Sequence, residues 1–98
     1  MASEQKIREL RQEIDRVDHQ ILDLYQRRLK IVRDIAALKI HHGMEADQPQ
    51  RLGMIRQDRL AYIASLDISE GFLEKMISLF HDDAIFVQER IMSKEKKT

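Results

Sequence analysis

The sequence predicts an all-α fold of three helices, the first very long and paired with a second copy of itself. Three observations carry this. Residues 4–41 contain no glycine or proline. Along them apolar side chains recur at alternating three- and four-residue steps, the spacing of one helix face. No segment shows the two-residue alternation of a half-buried strand.

The first helix is expected over about 4–41. Its seam is Ile7, Leu10, Ile14, Val17, Ile21, Leu24, Arg28, Ile31, Ile35 and Leu38. At about 1.5 Å per residue it spans roughly 55 Å, too long to be covered by the rest of a small chain. Pairing with another copy follows, which also relieves the limited core of a 98-residue domain. His41, His42 and Gly43 end the helix, Gly43 taking the left-handed conformation. A polar loop occupies 42–48, and Pro49 suits the first turn of a second helix that runs to about Leu66. Its buried face is drawn from Leu52, Ile55, Tyr62, Ile63 and Leu66. Asp67 or Ser69 caps the third helix, expected over about 70–92, with Leu73, Ile77, Phe80, Ala84, Val87 and Ile91 facing inward. The charged tail SKEKKT is expected to fray. The whole of 1–98 reads as a single domain.

Composition narrows the functional classes. Seventeen basic and seventeen acidic side chains balance, so no net field draws nucleic acid or a membrane surface. Cysteine is absent, which excludes disulfides and thiolate metal sites and fits a reducing compartment. The N-terminus MASEQKIREL lacks a signal peptide's apolar run, and no stretch is long enough to span a bilayer. A cytoplasmic protein is the default expectation.

Arg28 is the one charged member of the seam. A guanidinium keeps its charge, and burying it unpaired costs several kcal/mol. Either it snorkels past the stripe or pairs with an acid from another helix, or the anion it needs is a ligand. Lys39 lies eleven residues on, almost three whole turns, so both cations leave the helix on nearly the same side about 16 Å apart. Arg11 is about 25 Å from Arg28 and rotated by roughly 100°. It reaches such a ligand only across an antiparallel dimer, which gives two equivalent sites. Several cations with no obvious base suit a small dianion, gripped by arginine forks and a lysine point charge. Arg51, just beyond the loop, is a fourth cation. Gln88 falls one turn after Ala84 and either donates an amide hydrogen bond inward or simply bridges two helices. His41 and His42 diverge on a helix and read as solvated surface, as do Asp82 and Asp83; His19 and His81 stand alone. No metal motif, phosphate loop or Ser–His–Asp order is present.

The segment Leu10-Arg11-Gln12-Glu13-Ile14-Asp15-Arg16-Val17-Asp18, followed by Arg27-Arg28, Lys39, Pro49-Gln50-Arg51 and Gln88, resembles the all-helical chorismate mutase family over nearly the whole chain. The resemblance implies an intertwined three-helix dimer in which each site borrows Arg11 from its partner. It further implies that Arg11, Arg28 and Arg51 hold the two carboxylates of chorismate, with Lys39 and Gln88 facing the ether oxygen. The rearrangement to prephenate is concerted and needs no nucleophile, proton transfer or cofactor.

The chain departs from the family's pattern around the substrate's ring hydroxyl. Family members usually carry acids at the positions of Leu52 and Gln48, and often a small hydroxyl residue at that of Ala84. Related isochorismate-pyruvate lyases share the fold and a similar Pro-x-Arg-aliphatic stretch. The alternatives are therefore that lyase activity and mutation of the amino analogue of chorismate. A non-enzymatic helical dimerisation module is a further alternative.

Overall fold

The computed structural model describes residues 1–97, with side chains through Glu95. Three helices, α1 (Ala2–His41), α2 (Pro49–Ile63) and α3 (Glu70–Lys97), make an all-α chain in chain order. It divides into two units, residues 1–31 and the stretch from Val32 onward.

The first unit is the N-terminal part of α1. The helix begins two residues before the expected Glu4, because the Gln5 amide already donates to the Met1 carbonyl at 3.1 Å. Within this unit only Tyr25, Arg28 and Leu29 are half-buried. The nine apolar seam residues, including Ile35 and Leu38 in the second unit, are each between 43% and 61% exposed in the single chain. Among seam positions Arg28 is the one not classed as exposed.

The second unit holds the core. Ile55 and Ile63 of α2 bury against Leu73 and Ile77 of α3, with Leu52, Leu60 and Met76 packed around them. The exposed Arg56 guanidinium donates to both Glu74 carboxylate oxygens at 3.1 Å and ties the same two helices. Such a surface pair contributes about 0–1 kcal/mol. Val32 and Ala36 bury the last turns of α1, one helical step away from the seam.

The helix ends follow local chemistry. After α1, Gly43 has φ +66°, its amide donates to the Ile40 carbonyl at 3.2 Å, and the Met44 amide donates to the Lys39 carbonyl at 2.8 Å. That pair of bonds is the Schellman closure. Pro49 opens α2 with Gln48 in extended conformation before it. Of the two candidate caps for α3, Ser69 serves: its Oγ accepts the Phe72 amide at 3.1 Å.

Two further boundaries differ from expectation. Helix α2 stops at Ile63 rather than Leu66, because the Ala64 and Leu66 amides bond three residues back and tighten the last turn. Leu66 is accordingly exposed, and so is Tyr62 at 74%. Helix α3 continues to Lys97 rather than fraying after Met92, since Lys and Glu are good helix formers and the cations suit a helix C-terminus. Of the tail expected to fray, Thr98 lies outside the described residues.

Candidate active site

Helix periodicity puts Lys39 one turn beyond Ile35 and Ala36, on the flank of α1 between the apolar seam and the buried Val32 and Ala36. On α3 the same rule puts His81, Ala84 and Gln88 on one face. The loop after α1 closes the third side. At this corner the Lys39 ammonium donates to Gln88 Oε1 at 2.8 Å and to the Ala46 carbonyl at 2.6 Å. Gln88, 5% exposed, donates its own Nε2 to the Ala84 carbonyl at 3.2 Å. The glutamine therefore bridges two helices by accepting from the lysine, while its own donation stays within α3.

The bonding leaves directed donors. An ammonium has three hydrogens and a carboxamide two. Among the described residues these bonds engage two of the lysine's and one of the glutamine's, so each has a further hydrogen to offer an oxygen. Burial pushes the Lys39 pKa below its ordinary value, and the negative charge of Asp47 opposes that shift. The lysine is thus less hydrated than a surface ammonium, which strengthens the pull of its charged form on a nearby anion.

The loop is held in turn. Ala46 is buried, and Gln48 donates through Nε2 to the Glu45 carbonyl at 2.7 Å. Asp47 lies 3.7 Å from His81 Nε2, with the imidazole 17% exposed and the carboxylate 60% exposed. His81, expected to stand alone, thus faces the loop. On the other side, Lys39 lines a cavity of about 350 Å³ together with Met44, Glu45, Met92 and Glu95. Two carboxylates there disfavour a dianion.

The remaining expected residues are distributed as follows. Arg51 is exposed on the first turn of α2, its amide donating to the Gln48 carbonyl at 2.9 Å. Leu52 is half-buried and packed against the α2–α3 core, so it offers no polar atom. Ala84 is half-buried and takes part through its carbonyl. Arg11 is exposed and Arg28 half-buried on α1 in the first unit. The Ala46 carbonyl and His81 were not among the expected site residues, while Asp47 is the acid one position from Gln48 that a loop shift could bring into play; a loop carbonyl leaves no trace in side-chain patterning. His41 and His42 are exposed with rings edge to face at 5.0 Å, and no group of three metal-ligating side chains occurs among the described residues. Among those residues no helix is long and apolar enough to cross a membrane.

Comparison with known proteins identifies the family. The chain is 29% identical over its whole length to a 4-amino-4-deoxychorismate mutase of Streptomyces venezuelae, covering 95% of that protein. It is 30% identical to a chorismate mutase of Methanocaldococcus jannaschii, with 95% of this chain and 98% of the relative aligned. It is 28% identical over 82% of its length to the T-protein of Haemophilus influenzae, where the match spans 21% of the larger protein. No solved structure matches. The family model for chorismate mutase type II matches residues 10–89. A helical chain with a paired lysine and glutamine, matched over that span, belongs to the chorismate mutase type II family of isomerases.

Proposed function

We propose that this chain catalyses the rearrangement of chorismate to prephenate, with Lys39 and Gln88 as the catalytic residues. The Lys39–Gln88 contact at 2.8 Å carries the reading. In the reaction the ether bond to the ring breaks as a carbon–carbon bond forms between the enolpyruvyl methylene and the ring, and no proton is transferred. Negative charge grows on the ether oxygen. Two donors already fixed by Ala46 and Ala84 bind that charge without reorganising, so they favour the transition state over the ground state.

Arg11, Arg28 and Arg51 grip the two carboxylates, which holds the enolpyruvyl arm over the ring and removes part of the entropic barrier. Arg11 comes from a second copy. The exposed seam of α1 supports that assembly, because a continuous apolar stripe of this length on a small chain calls for a partner. A second copy is the occupant that fits, since the seam's three- and four-residue steps match those of an identical helix. The site takes its substrate in the reducing interior of the cell.

A second reading concerns the ring substituent. Leu52 and Ala84 carry no polar side-chain atom, and the full-length similarity to a 4-amino-4-deoxychorismate mutase supports the amino analogue as an alternative substrate. The Pro49-Gln50-Arg51-Leu52 stretch keeps isochorismate as a third candidate.

Purified protein incubated separately with chorismate, isochorismate and 4-amino-4-deoxychorismate separates these. Prephenate from chorismate, lost in Lys39→Ala and Gln88→Ala, is the expected result. Salicylate plus pyruvate from isochorismate alone would overturn it. A dicarboxylate transition-state mimic that leaves the melting temperature unchanged would reduce the chain to a dimerisation module.

A further inference from the structure

We infer that Asp47, held from behind by His81, is the group that receives the hydrogen-bonding substituent on the substrate's ring, and that it takes the place of the absent acids at positions 48 and 52. The inference rests on the reading of Lys39 and Gln88 as the donors to the ether oxygen.

Its argument is one of proximity. In chorismate the ring carbon bearing the ether oxygen adjoins the carbon bearing the hydroxyl, so the acceptor for that hydroxyl must lie close to the Lys39–Gln88 pair. Leu52 and Ala84 have no side-chain acceptor. The Gln48 amide is turned back on its own loop, Nε2 donating to the Glu45 carbonyl at 2.7 Å. Asp47 meets the requirement: it follows Ala46, whose carbonyl is 2.6 Å from the lysine ammonium, and its carboxylate remains 60% exposed and open to a ligand.

His81 supplies what a loop carboxylate lacks, a fixed anchor. It sits two turns before Gln88 on the same face of α3, and its largely buried ring lies 3.7 Å from Asp47 Oδ1. The imidazole faces Oδ1 at ion-pair rather than hydrogen-bond distance, and the carboxylate stays 60% exposed. His81 is therefore a positioning residue, acting through Asp47. A carboxylate accepts from a hydroxyl and still more strongly from an ammonium, so this device suits both chorismate and its amino analogue.

The experiment compares kcat/KM for chorismate and for 4-amino-4-deoxychorismate in the wild-type protein, Asp47→Asn, His81→Leu and His81→Gln, with helicity and melting temperature as folding controls. Asp47→Asn is expected to lower the amino-substrate to chorismate ratio about tenfold, because an amide loses the charge that an ammonium seeks. His81→Leu should move the ratio in the same direction, and His81→Gln, which keeps a donor, should restore it at least in part. A ratio unchanged within about twofold in a folded Asp47→Asn protein overturns the inference while the assignment of Lys39 and Gln88 stands. Equal losses on both substrates, or an unrescued His81→Leu, overturn it also. Failure of the wild-type protein to turn over either substrate overturns the underlying reading instead.

Discussion

Lys39 is asked to be two things at once, a charge that stays on and a donor poor in water. Its lowered pKa follows from that demand. On the proposed role of Lys39 the ammonium is the active form, so activity is expected to decline on the alkaline side with a midpoint below the 10.5 of a free lysine. A kcat/KM profile whose alkaline limb lies at or above that value contradicts the burial argument. Truncating either donor should be severe. Lys39→Ala and Gln88→Ala are each expected to reduce kcat by about 10²–10³, the usual loss when one preorganised donor is removed. Steady-state kinetics on the folded variants checks this. Lys39 and Gln88 were readable in the sequence because both sit on helices, where spacing fixes direction. The Ala46 carbonyl and the His81–Asp47 pair were not, because they depend on how seven loop residues fold over a helix end.

At the scale of elements, the ends of the helices carry the specificity of the fold. Gly43 has no atom within 4 Å of where a Cβ would stand, so only its φ of +66° opposes substitution. Gly43→Ala is expected to cost about 1–2 kcal/mol, with Asn milder, as measured by chemical or thermal unfolding. Ser69→Ala should cost about 0.5–2 kcal/mol through the lost cap on α3. Gly43, Pro49 and Ser69 marked their boundaries in the sequence because each has a conformational or capping role that few other residues fill. The end of α2 was less legible, since Ala64-Ser65-Leu66 contains no stop residue and the turn closes through backbone bonds alone. The tail of α3 misled for the opposite reason: charge was taken as a sign of fraying, although Lys-Glu-Lys-Lys continues a helix well.

For the whole molecule, the exposed seam of α1 is what the proposed pairing with a second copy would cover. Sedimentation should find a dimer, and Leu10→Glu or Ile14→Glu, which put charge into the stripe, should shift it toward monomer with loss of activity. Complementation is the sharper check. Arg11→Ala and Lys39→Ala proteins, each inactive alone, should regain about a quarter of wild-type activity when mixed and re-equilibrated, because half the dimers are hybrids and each hybrid has one intact site. No recovery would mean that Arg11 serves its own chain. The proposed partnership rests on the length of α1, which was legible in the sequence. Arg28 stood out for the same reason, as a cation where the pattern asks for an aliphatic residue.

Lys39 is anchored to the same short loop twice, by its carbonyl to Met44 and by its ammonium to Ala46. Such a double tether makes unwinding of the helix end and retraction of the reactive charge a single event. Slow amide hydrogen exchange at Met44 should consequently go hand in hand with turnover, so that any agent prying that turn apart silences the enzyme before the protein melts.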